Sequence, residues 1–156
     1  MKLEIGSEAP VFIAPVIGGN YKEETNIDLS EFSGQRVVLV FYPKDNTPGC
    51  TIQGCAMRDD WSQLDGKVQV FGVSVDSIKS HQKFIEKEQL PYPLISDEEK
   101  LIVGAYGVWV EKLNYGKKYM GTERTTFVIG VDGKIEAILE KVKPATHLEQ
   151  LLELLA

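Results

Sequence analysis

Apolar residues fall in separated blocks along this chain, and their spacing switches between strand-like and helix-like. Residues 37–42 and 68–75 are near-continuous apolar runs rich in valine, the pattern of core strands. Ile78, His81, Phe84 and Ile85 recur at helical spacing behind Asp76-Ser77, either of which can cap, so a helix is predicted over 77–89. Another helix is predicted between the two apolar runs, over about 50–64, ending near Asp65-Gly66. Pro91 and Pro93 interrupt the chain. Residues 94–96 then read as a short strand, and Asp97 as the cap of a helix reaching about Tyr106.

Toward the N-terminus, turn signals at Ala9-Pro10 and Gly18-Gly19-Asn20 suggest short extended pieces or a hairpin, and 30–34 a turn before the first core strand. Toward the C-terminus, 124–131 and 134–139 flank Asp132-Gly133, a strong hairpin signal, and 145–155 reads as a closing helix. The aromatic, glycine-bearing stretch 107–121 is expected to be loop. Repeats, low-complexity tracts and linkers are absent from the sequence. Strands alternating with helices, then a late hairpin, imply an α/β fold: a mixed central sheet flanked by helices on both faces, in one domain spanning 1–156.

Composition narrows the partners. At 156 residues, 43% hydrophobic and 26% charged, the chain is an ordinary globular domain. A net charge of -6 argues against nucleic acid and against anionic membrane surfaces. No apolar run approaches the roughly 18 residues of a membrane-spanning helix, and residues 1–8 lack the apolar stretch of a signal peptide. The expected location is the cytoplasm, where thiols stay reduced. Two cysteines there suggest catalysis or redox cycling more than a structural staple.

Both cysteines lie within 43–55, Pro-Lys-Asp-Asn-Thr-Pro-Gly-Cys-Thr-Ile-Gln-Gly-Cys, where the first core strand gives way to a helix. The N-terminus of a helix offers unpaired N–H groups and a positive dipole end, which favour an anion. For cysteine that anion is the reactive thiolate. Thr47-Pro48 fits the N-cap and first helical position. The spacing is Cys-x4-Cys and not the redox Cys-x-x-Cys. On one helix, Cys50 and Cys55 are turned apart by about 500° and separated by a rise of about 7.5 Å. That exceeds the roughly 7 Å Cα separation a disulfide tolerates, so bridging them requires the helix to unwind. Two inert buried cysteines are the plain alternative, although Thr47-Pro48-Gly49 places Cys50 at a turn. Two cysteines with His81 and His147 show no zinc spacing, and no metal or cofactor is expected. A phosphatase-type phosphate loop would carry arginine where Ala56 stands. Arg58 reads as solvated or locally paired, Arg124 as a strand-end charge, Pro43 as a strand terminator, and Tyr106 and Trp109 as core or rim residues.

Pro43-x-x-x-Thr47-x-x-Cys50 resembles the active-site signature of peroxiredoxins. The fuller run 41–59 resembles the bacterioferritin comigratory protein, or PrxQ, branch closely. The likeness extends to 29–34, Ser96-Asp97, 106–109 and Arg124-Thr-Thr-Phe127, and so spans nearly the whole chain. It implies a thioredoxin-like fold and thiol-dependent reduction of hydrogen peroxide and organic hydroperoxides. In that family's chemistry Cys50 is the peroxidatic nucleophile and becomes a sulfenic acid. Cys55, the resolving cysteine, condenses with it to a disulfide, and a dithiol, thioredoxin or similar, resets the pair. The resemblance also brings Arg124 beside Cys50, makes Thr47 and the amides around Gly49 and Cys50 substrate donors, and has Pro43 shield the cysteine. Members of the branch are often monomers.

Acidity alone would not make such a thiol fast. For any thiol, moving the pKa from about 8.5 to about 6 raises the thiolate fraction at pH 7 roughly 30-fold. Nucleophilicity then falls roughly tenfold. The remaining acceleration must come from fixed donors that hold the peroxide in line and stabilise the leaving oxygen. Two other readings stay open from the residues alone. A dithiol–disulfide oxidoreductase would want Cys-x-x-Cys, and a non-catalytic binding domain would not need Thr47, Cys50 and Arg124 together.

Overall fold

A computed structural model describes residues 3–155. In chain order the elements are β1 (Ile13–Gly18), β2 (Tyr21–Asp28), β3 (Val37–Phe41), α1 (Pro48–Asp59), β4 (Gln69–Ser74), α2 (Ile78–Glu88), β5 (Leu94–Ser96) and α3 (Leu101–Ala105). They continue with β6 (Trp109–Asn114), β7 (Lys117–Thr122), β8 (Thr125–Ile129), β9 (Ile135–Leu139) and α4 (His147–Leu155). Seven strands form one sheet in the order β2-β1-β5-β4-β3-β8-β9. The centre, β5-β4-β3, is parallel, because α1 and α2 each carry the chain back across the sheet. The flanking pairs β3-β8, β8-β9, β1-β5 and β1-β2 are antiparallel.

The valine-rich run of β3 splits by parity, as a strand buried on both faces must. Val37, Leu39 and Phe41 enter one layer with Phe71, Phe127, and Ile102, Val103 and Tyr106 around α3. Val38, Val40 and Tyr42 enter the other with Met57 of α1, Phe84 of α2 and Leu148 and Leu151 of α4. Helices therefore cover both faces, as the alternation of elements implies. Among the described residues no helix is long and apolar enough to cross a membrane.

Three local expectations are corrected. The helix predicted to residue 64 stops at Asp59, and the chain tightens into a 3-10 turn, Trp61–Gln63. That tightening stacks Trp61 against Tyr92, with ring centroids 5.8 Å apart, and buries Leu64 fully. The helix expected from Asp97 begins only at Leu101, because Lys100 turns the chain at φ 63. Asp97 still caps it from a distance: its carboxylate accepts the N–H groups of Ile102 and Val103 at 3.1 and 2.8 Å. Finally, most of the stretch read as loop over 107–121 is the β6-β7 hairpin, a separate two-stranded sheet. Tyr115 and Gly116 supply positive φ at its turn (50 and 78). Its strands are largely solvent-exposed, so charged residues stand where period-two alternation would signal a strand.

Candidate active site

The loop leaving β3 turns through Asn46 at φ 61 and enters α1 at Pro48. Pro48 suits the first helical position, where its missing N–H costs no hydrogen bond. Thr47 has the extended backbone of an N-cap, and its carbonyl accepts the N–H of Thr51 at 2.9 Å. Its side chain does not cap the helix, contrary to the sequence reading. The hydroxyl donates instead to the carbonyl of Lys44 at 3.0 Å, tightening the loop. The amides of Gly49 and Cys50 belong to the first turn, whose N–H groups have no acceptor within the helix.

Cys50 is the third residue of α1 and is only 3% exposed, so the turn position does not keep it at the surface. Arg124 reaches it from the residue before the neighbouring strand β8. Antiparallel pairing of β8 with β3 sets Thr125 opposite Phe41, so the residue before β8 stands beside the loop after β3. The Arg124 Nη2 lies 3.4 Å from the Cys50 Sγ, and Nη1 donates to the side-chain carbonyl of Gln53, one turn further along α1. Gly49 leaves room for this. A Cβ there would stand 3.1 Å from the Arg124 Nη2 and 3.3 Å from the Cγ of Pro144. A fixed positive charge thus lies where a thiolate, or the oxygen leaving from a peroxide it attacks, would be negative. Because Gln53 is neutral, it orients the guanidinium without cancelling that charge.

The structure brings Cys50, Gly49 and Arg124 together, with Thr47 in the adjoining loop. Pro43, half-buried, occupies the start of that loop. Cys55 is not part of the cluster. It is half-buried on the same intact helix, and its thiol donates to the Glu88 carboxylate at 3.2 Å. Burial, and then the bond to Glu88, push the Cys55 thiol above its ordinary range. Arg58 donates to the backbone carbonyl of Glu88 at 2.6 Å, tying α1 to the end of α2. The two thiols are both free.

Sequence reading missed the buried polar network under the loop. The Asp45 carboxylate accepts the Tyr42 hydroxyl at 2.6 Å and the Ser80 hydroxyl at 2.9 Å, and lies 2.6 Å from the His81 Nδ1. The Asp45 N–H donates to Asp76 at 2.8 Å, and the Ser74 hydroxyl donates to the same Asp76 oxygen at 2.7 Å. The His81 Nε2 faces the Ile95 carbonyl at 2.8 Å, so that nitrogen carries a hydrogen. Burial, and then the charge of Asp45, push the Tyr42 phenol well above its ordinary range and keep it a donor. His81, read as a helix-face residue, is therefore fully buried and pins the cysteine loop to α2 and β5. Asp45, Asp76 and His81 bring three possible metal ligands within 4.8 Å of one another. Hydrogen bonds within the protein already engage all three. Gln53 also escaped notice. No sequence spacing links these residues, since they meet only once β3, β4, β5 and α2 are packed.

Residues 5–138 match the AhpC/TSA family. The chain is 41% identical over 158 residues to peroxiredoxin Bcp of Bacillus subtilis, covering 99% of this chain and 96% of that protein. It is 40% identical over 151 residues to peroxiredoxin Bcp of Escherichia coli K12, covering 96% and 94%. The solved structure of the Xanthomonas campestris bacterioferritin comigratory protein superposes with a TM-score of 0.86 at 32% identity, covering 97% of each chain. A TM-score of 0.83 at 34% identity relates it also to a structure of Xanthomonas campestris peroxiredoxin Q, covering 92% of this chain and 89% of that one. With its thioredoxin-like fold and a cysteine set against an arginine at a helix N-terminus, the chain belongs to the AhpC/TSA family, in its Bcp/PrxQ branch, and is a thiol-dependent peroxidase.

Proposed function

We propose that Cys50 is the peroxidatic cysteine, Cys55 the resolving one, and Thr47, Gly49, Arg124 and Pro43 the surroundings that make Cys50 fast. The observation that carries this is the Arg124 guanidinium 3.4 Å from the Cys50 Sγ at the first turn of α1. The thiolate attacks one peroxide oxygen. An S–O bond forms, the O–O bond breaks, and the other oxygen leaves as water or an alcohol once protonated. Arg124 and the first-turn amides donate to the oxygens as charge moves onto them. Thr47 acts differently from expectation. Its only hydrogen is committed to the Lys44 carbonyl, so it accepts the peroxide hydrogen instead of donating. Pro43, with no N–H of its own, helps keep water from the sulfur.

Cys55 then attacks the sulfenic sulfur, giving a Cys50–Cys55 disulfide and water, and thioredoxin or a similar dithiol restores both thiols by exchange. Alkyl peroxide reduction activity is ascribed to the Xanthomonas campestris bacterioferritin comigratory protein, which supports organic hydroperoxides beside hydrogen peroxide as substrates here. An intramolecular disulfide needs no second subunit, and we read the protein as a cytoplasmic, single-domain monomer without nucleic-acid or membrane partners.

Intact mass after one equivalent of hydrogen peroxide tests the assignment. The reduced wild type should lose two hydrogens, Cys55→Ser should gain one oxygen, and Cys50→Ser should not change. Slow, equal oxidation of both thiols would overturn it.

A further inference from the structure

Resting on the reading of Cys55 as the resolving cysteine, we propose that Glu88 is the base of the resolving step, taking the Cys55 proton as the disulfide forms. The Glu88 carboxylate already accepts the Cys55 thiol hydrogen at 3.2 Å. The nucleophile in disulfide formation is the thiolate, yet burial and Glu88 hold Cys55 as a thiol. The proton must therefore leave during attack, and an acceptor is already in hydrogen-bond contact. The other charged or titratable groups facing this pair are Arg58 and Asp59 from α1 and Tyr92 from the segment before β5. Arg58 and Asp59 pair with each other at 3.0 Å, and burial pushes the Tyr92 phenol above its ordinary range.

The second observation concerns which cysteine moves. Arg58, one turn past Cys55, donates to the Glu88 backbone carbonyl at 2.6 Å and lies 3.9 Å from the Glu88 carboxylate. This clamp ties the distal half of α1 to α2. Unwinding that starts at Pro48 and stops short of Arg58 brings Cys50 to Cys55 and leaves Cys55 on Glu88. The step balances: the S–S bond forms and the Cys50 S–O bond breaks. The Cys55 proton passes to Glu88 and on, through solvent, to the departing hydroxide, which leaves as water. Cys55 is oxidised and the Cys50 sulfenic sulfur reduced.

Rapid-quench trapping of the sulfenic acid with dimedone, with intact mass read across pH, tests this in wild type, Glu88→Gln, Glu88→Asp and the exposed-site control Glu86→Gln. In wild type and Glu86→Gln the sulfenic acid should vanish at a rate nearly independent of pH around neutrality. Glu88→Gln should resolve about 10²-fold more slowly at neutral pH. Its rate should climb with pH as the thiolate forms without a base, and Glu88→Asp should keep the flat profile at a reduced rate. Wild-type resolution in Glu88→Gln, or a slower rate with the flat profile kept, would overturn the base role. If Glu88→Gln does not fold, a pH-dependent Glu88→Asp would overturn it equally. A wild type that stops at one added oxygen, as Cys55→Ser does, would instead sink the assignment of Cys55 itself, and the inference with it.

Discussion

Gly49 shows how a single missing side chain shapes the reactive sulfur's surroundings. Alanine is a better helix former by about 1 kcal/mol, so helix propensity alone favours Gly49→Ala. Its Cβ would stand 3.1 Å from the Arg124 Nη2 and 3.3 Å from Pro144, so the guanidinium must shift. We expect Gly49→Ala to keep or raise the Tm while Cys50 oxidation by hydrogen peroxide, followed by stopped flow, slows at least about tenfold. Arg124→Ala should lose about 10²–10³-fold, the usual effect of removing one fixed donor to developing negative charge. An unslowed Gly49→Ala would mean that the guanidinium works equally well from a displaced position. At this scale Thr47, Gly49 and Cys50 were legible because they are neighbours in one motif. Arg124 was legible only through family resemblance. Gln53 and Glu88 were not, because a side chain's meaning depends on what it faces, and what they face comes from other elements.

At the scale of elements, the proposed Cys50–Cys55 disulfide requires α1 to take two forms. Reduced, it is an unbroken helix from Pro48 to Asp59 carrying both cysteines. Five residues of helix rise about 7.5 Å, so a Cys50–Cys55 disulfide and this helix exclude each other. Hydrogen exchange should therefore show protected amides across 52–59 in the reduced protein. In the disulfide form protection should be lost before 56 and kept nearer Arg58. Equal protection in both forms would refute the unwinding. Apolar blocks made β3, β4, α2, β8, β9 and α4 readable within a residue or two. The β6-β7 hairpin was hidden because exposed strands do not need apolar alternation. Where α1 and α3 begin or end was set by Leu64, Trp61 and the distant cap Asp97, contacts that local propensity does not contain.

The whole molecule also sets a pH limit on its stability. His147 opens α4, fully buried, with its Nε2 2.7 Å from the Thr126 hydroxyl of β8. Burial, and then the charge of Arg124, lower its pKa from 6.5 to about 4. The unfolded chain thus binds a proton between these values that the folded chain refuses. Stability from this group is whole above about pH 6.5, falls as pH drops toward 4, and is flat below that. At about 1.4 kcal/mol per pKa unit, the full loss is of order 3 kcal/mol. In urea titrations across this range, His147→Gln should show a shallower decline than wild type, and parallel curves would refute the assignment. By itself the sequence determined the α/β class, the apolar core strands and the thiol chemistry, and it set the condition that a Cys-x4-Cys disulfide would need its helix unwound. Apolar period, cap residues and spacing act locally, so they can be read along the chain. Only the tertiary structure decided that Arg124 meets Cys50, that Glu88 meets Cys55, and that Asp45 and His81 anchor the loop. Strand register and helix packing make those contacts, joining residues that lie 74, 33 and 36 positions apart.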